Sequence, residues 1–110
     1  MDAVFIELPP FERFRVGYLS DDEYRTLQIT LMNNPTAGDV IQQTGGLRKM
    51  RFSDAKAGKG KRGGVRVIYY WWVERFQFLL FAIYSKGEMS DLTNAQRKIL
   101  SNLLKCRKSE

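Results

Sequence analysis

Val65-Arg66-Val67-Ile68-Tyr69-Tyr70-Trp71-Trp72-Val73, a break at Glu74-Arg75-Phe76, then Gln77-Phe78-Leu79-Leu80-Phe81-Ala82-Ile83-Tyr84 is the stretch that decides the architecture. Both runs are rich in β-branched and aromatic residues, which suit a packed, pleated surface. Neither alternates cleanly between apolar and polar residues, so each is expected to be a central strand covered on much of both faces. The short polar break makes them antiparallel neighbours. The run Tyr69, Tyr70, Trp71, Trp72 is expected in the core rather than as a platform for stacked bases.

Upstream, Leu47, Lys49 and Arg51 alternate with Arg48, Met50 and Phe52, which predicts a third strand with two distinct faces. Val4-Phe5-Ile6 predicts a short first strand, ended by Pro9-Pro10. Phe11, Phe14 and Tyr18 recur at helical spacing and predict a helix over residues 10–17. Ser20-Asp21-Asp22-Glu23 has the form of a capping box, followed by the stripe Tyr24, Leu27, Leu31 and a stop at Asn33-Asn34-Pro35. Thr93-Asn94-Ala95-Gln96 is a second capping box, ahead of Ile99, Leu100, Leu103 and Leu104. The expected order is β-α-α-β-β-β-α in one domain over residues 1–110. That is an α+β fold with a small antiparallel sheet and helices packed on one face.

Charge is distributed unevenly. The net charge is +6, yet residues 1–47 sum to −4. Residues 48–66 carry Arg48, Lys49, Arg51, Lys56, Lys59, Lys61, Arg62 and Arg66 against Asp54 alone, a net of +7. Such local excess is the footprint of a polyanion partner. Gly58, Gly60, Gly63 and Gly64 would let the backbone of this segment turn tightly against a phosphate. Tyr84, Lys86 and Glu88 stand where the last strand should end, beside the basic segment.

Several chemistries are excluded. With no histidine, neither a His-based ribonuclease mechanism nor a His-containing triad is possible. A single cysteine, Cys106, excludes an internal disulfide and a cysteine zinc site. Gly58-Lys59-Gly60-Lys61-Arg62-Gly63-Gly64 lacks the Lys-Ser/Thr ending of a phosphate-binding P-loop. No apolar run approaches membrane-spanning length and no secretory signal is visible, so a cytoplasmic protein with no membrane partner is expected.

Three segments, Gly45-Gly46-Leu47-Arg48-Lys49-Met50-Arg51, residues 58–70 from Gly58-Lys59-Gly60 to Tyr69-Tyr70, and residues 83–92 from Ile83-Tyr84-Ser85-Lys86 to Asp91-Leu92, together resemble HigB-type toxins of the RelE/ParE superfamily of toxin–antitoxin systems. The resemblance runs from about Val4 to Leu104. It implies a RelE-like sheet flanked by helices and a ribosome-dependent, metal-independent endoribonuclease that needs no cofactor. It implies mRNA and the ribosome as targets, and a cognate antitoxin, often a helix-turn-helix protein, as partner. On this basis Arg66, Lys59, Tyr84 and Lys86 are the expected catalytic residues. Arg48, Lys49, Arg51, Lys56, Lys61 and Arg62 are expected to bind RNA. Tyr84 or a lysine of lowered pKa would remove the 2′-proton, and Lys86 would assist the leaving oxygen. Gly87 and Thr93 stand where RelE-like enzymes tend to have arginine and tyrosine. ParE-like members share the fold and act on DNA gyrase, which makes a non-ribonuclease toxin or binding module the alternative.

Overall fold

A computed structural model describes residues 3–52, 64–89 and 91–109. The order is β1 (Val4–Glu7), α1 (Pro9–Tyr18), α2 (Asp21–Asn33), β2 (Asp39–Val40), β3 (Arg48–Phe52), β4 (Val65–Trp72), a 3₁₀ turn (Val73–Arg75), β5 (Gln77–Ser85) and α3 (Asn94–Lys108). The α+β class is as expected. β2 was not, because two residues are too few to show a period.

The five strands lie in the order β1-β5-β4-β3-β2. β3, β4 and β5 form the expected antiparallel meander. The sheet is nevertheless mixed, because β1 runs parallel to β5. The helices also divide. α1 and α2 share a face, where Phe11, Tyr24, Leu27 and Leu31 pack on Met50, Val67, Tyr69, Phe78 and Leu80. The other face carries Leu47, Ile68, Leu79, Phe81 and Tyr84 beneath Leu104 of α3, so α3 departs from the expected one-sided packing. The physical reason is that β4 and β5 are apolar on both faces, and both must be covered. Tyr69 and Trp72 are buried, while Tyr70 and Trp71 are half-buried.

Local signals set the helix ends. Pro9 and Pro10 begin α1, where a missing N–H costs nothing. The Ser20 hydroxyl accepts from the Glu23 N–H at 3.1 Å, and Glu23 accepts from the Ser20 N–H at 2.8 Å. Thr93 and Gln96 repeat this arrangement on α3 at 3.1 and 2.8 Å. Gly38 locks β2 onto the sheet. Its N–H donates to the Tyr69 hydroxyl at 2.9 Å, and that hydroxyl donates to the Pro35 carbonyl at 2.8 Å. A Cβ here would come within 2.9 Å of the Lys49 carbonyl oxygen, which admits only glycine.

Four tyrosines are tied into this packing with phenols harder to ionise than usual. Burial raises Tyr24, helped by its hydrogen bond to Glu7, and burial also raises Tyr69 and Tyr84. Tyr18 is raised first by its hydrogen bond to Glu88. The unfolded chain therefore releases phenolic protons first as pH climbs past about 10. Stability present in full below that pH should fall as pH rises further. Thermal unfolding between pH 8 and about 11, followed beside tyrosinate absorbance, should show the midpoint dropping as unfolding and ionisation coincide. An unchanged midpoint would contradict the burial of Tyr24, Tyr69 and Tyr84.

Candidate functional site

Strand alternation puts Lys49 and Arg51 on the α3 side of β3, and strand pairing adds the rest. Arg51 lies opposite Arg66 on β4, and Arg66 lies opposite Tyr84 on β5. These three side chains form one row across three strands, with neighbouring Cβ atoms about 5 Å apart. In the next row Lys49 is registered with Ile68. Two arginines directly opposite each other are unfavourable by themselves, the kind of local conflict found at functional sites. Arg51 is exposed, whereas Arg66 is 8% exposed and engaged by neighbours.

Beside this row a groove of about 630 Å³ is lined by Lys49, Arg51, Arg97, Asp39 and Asp91 among others. Asp91 and Arg97 carry no local sequence signal, because their partner comes from a distant strand. Asp91 Oδ1 is 3.7 Å from Lys49 Nζ, and Oδ2 is 3.5 Å from Arg97 Nη2. The Leu92 N–H donates to Asp91 Oδ1 at 2.8 Å. That hydrogen bond, then the Lys49 charge, holds the Asp91 carboxyl below the usual carboxylate range.

Tyr84 is placed at the end of the row, but its chemistry differs from expectation. Its hydroxyl is buried and has no hydrogen-bond partner among the described residues. Burial pushes its pKa up, the Asp91 charge adds to this, and Arg66 offsets part of it. The phenol therefore stays protonated near neutral pH and can donate a proton, but is poorly suited to remove one.

The remaining candidates separate. Arg48, expected among the RNA-binding residues, faces away from the row, and its guanidinium donates to the Gly38 carbonyl at 2.7 Å. The alternation of β3 requires this, since Lys49 and Arg51 take the other face. Lys86 is exposed in the turn after β5. Glu88, in the same turn, accepts from the Ser85 N–H and hydroxyl at 3.0 Å each and from the Tyr18 hydroxyl, which pins the turn to α1. These bonds, led by that of Tyr18, lower its pKa. Lys56, Lys59, Lys61 and Arg62 lie outside the described residues. In sequence that stretch is flanked by Phe52, next to Arg51, and by Gly64, two residues before Arg66. Gly64 has φ of 56°, a conformation that favours glycine. No described helix is long and apolar enough to cross a membrane.

No known protein-family profile matches the chain. Among solved structures it is similar to the free E. coli toxin RelE, solved as a double arginine-to-alanine mutant. That match has 11% identity and a TM-score of 0.53, covering 82% of this chain and 90% of the other. It is also similar to a chain of the intact E. coli RelBE toxin–antitoxin complex, at 10% identity and a TM-score of 0.53, covering 76% of this chain and 96% of the other. The architecture of this chain is thus a RelE-like α+β fold, a mixed five-stranded sheet with three helices.

Proposed function

We propose that this chain is the toxin of a toxin–antitoxin system and cleaves translated mRNA in the ribosomal A site without a metal or cofactor. The observation that supports this most is the convergence of Lys49, Arg51, Arg66 and Tyr84 on one sheet face. The RelE-like fold adds to it, as does the similarity of the chain to one from a toxin–antitoxin complex. The partner in this reading is a cognate antitoxin, and the compartment is the cytoplasm. The finer HigB assignment rests on the sequence resemblance.

In this mechanism the RNA 2′-oxygen forms a bond to the adjacent phosphorus as the bond to the 5′-oxygen breaks. The products are a cyclic phosphate and a 5′-hydroxyl. Arg66, with Arg51 beside it, stabilises charge on the non-bridging oxygens. Lys49 positions the backbone, with Lys56, Lys61 and Arg62 of the basic segment. Tyr84, held protonated, gives its proton to the departing 5′-oxygen, and Lys59 or Lys86, in its uncharged amine form, accepts the 2′-proton. Lysine side chains are ordinarily protonated near neutral pH, which makes them poorly matched bases, and lacking a well-matched base typically forfeits about 10²–10⁴ in rate. Pre-orientation of mRNA by the ribosome compensates, which accounts for ribosome dependence.

The alternative is a non-ribonuclease toxin of the ParE type acting on DNA gyrase. One observation favours it: the raised pKa of Tyr84 leaves the described part of the row without a ready base. Mapping mRNA 5′ ends after induction separates the two. Codon-phased new ends inside translated regions are expected. DNA breaks without new RNA ends would overturn the ribonuclease reading.

A further inference from the structure

We propose that Lys49 and Arg97 form a phosphate seat at the edge of the Arg51–Arg66–Tyr84 row, and that Asp91 occupies this seat until a phosphate of single-stranded RNA displaces it. This rests on the reading above, and assigns Arg97 and Asp91 roles in substrate binding.

Three observations carry it. First, the Asp91 carboxylate lies between the two cations at 3.7 and 3.5 Å. Well-formed charge-assisted hydrogen bonds are about 2.7–2.9 Å, so the two cations hold the carboxylate only loosely. Second, the Arg97 Nε is buried and has no hydrogen-bond partner among the described residues. A guanidinium has five N–H donors in a planar fork, which matches the two non-bridging oxygens of a phosphodiester in the bidentate way it matches a carboxylate. Third, the seat opens into the groove that Arg51 also lines. A strand held there can reach the row in the same pose.

Charge explains the switch. Lys49, Arg51 and Arg97 face Asp39 and Asp91 across the groove. While Asp91 is seated, its single negative charge offsets one of the two positive charges of Lys49 and Arg97. Once it swings out, a phosphate meets both. Asp91 is 62% exposed, so it can reach solvent without unpacking the core. The Leu92 N–H is the contact it gives up.

The test uses the full chain and a fluorescent single-stranded RNA carrying 2′-O-methyl groups, which blocks cleavage, with anisotropy read across a salt series. Asp91→Asn should bind about three- to tenfold more tightly at low salt, as expected from releasing exposed ion pairs. Arg97→Gln should bind more weakly and lower the log–log salt slope by about 0.7, one phosphate contact on a single strand. Arg97→Lys should keep the slope and lose part of the affinity, which separates the seat from a folding defect. Asp91→Asn in an Arg97→Gln background should gain little. Asp22→Asn, on exposed α2, controls for net charge and should change affinity less than twofold. Equal gains from Asp91→Asn and Asp22→Asn would overturn the seat, as would a gain that survives Arg97→Gln. Polyglutamate binding in place of RNA would assign the seat to an acidic protein partner and overturn the proposal. Because the RNA is uncleavable, the seat can stand or fall independently of whether induction yields mRNA cuts.

Discussion

Replacing Arg66 with alanine is expected to lower mRNA cleavage by about 10²–10³-fold, the usual cost of removing one preorganised donor aimed at transition-state charge. Growth arrest on induction should be lost with it. Arg66 is central to the row, with Arg51 on one side and Tyr84 on the other. At 8% exposure its guanidinium is held in place by the fold rather than swinging in water. That suits stabilisation of a phosphorane, for which fixed geometry matters more than reach. Arg66→Lys keeps the charge but loses the planar fork, so it should recover only part of the rate. Removing the arginine also disturbs the contacts it makes, so urea unfolding must accompany the assay. A folded Arg66→Ala protein that still cuts translated mRNA at the normal rate would remove Arg66 from the mechanism.

The largest effect on stability is expected at Phe78. Its side chain is fully buried, stacked at 4.7 Å on Phe5 and 4.4 Å on Trp71, with Tyr69 at 6.2 Å. It thus joins β1, β5 and β4 in one aromatic layer. Phe78→Ala removes that layer's centre and leaves a cavity that stiff strands cannot close, a loss of about 3–5 kcal/mol. Against a typical total of about 5–15 kcal/mol, this leaves the domain marginal at best. Equilibrium urea unfolding should show a lower midpoint at nearly constant slope. A loss below about 1 kcal/mol would mean that the parallel β1–β5 edge does not bear on the core as the packing indicates.

How much of this was legible beforehand varies with the range of the interaction. The capping boxes at Ser20 and Thr93 were read from four residues each, because each box satisfies donors within one helical turn. The two faces of β3 followed from alternation alone, which is why Lys49 and Arg51 were expected side by side. The same rule carries Arg48 to the opposite face, away from Lys49 and Arg51. β1 as a parallel edge could not be read. Four residues show composition, not partner or direction.

The role of Tyr84 illustrates the same limit in chemistry. Its place at the end of β5 was expected, but its protonation depends on burial and on Asp91, which reaches it through the fold. Asp91 and Arg97 were missed for a related reason. In the sequence they look like an ordinary approach to α3 and a solvated helix position.

The chain by itself determined the elements other than β2, the caps of α2 and α3, the two faces of β3 and the concentration of positive charge in residues 48–66, since all of these arise from neighbours a few residues apart. Only the tertiary structure decided which cations meet. Register across β3, β4 and β5 aligned Arg51 with Arg66 and Tyr84, and packing of α3 on the second apolar face brought Asp91 and Arg97 to Lys49. The reason is that strand pairing and face burial are chosen by the whole sheet at once, while periodicity is written residue by residue.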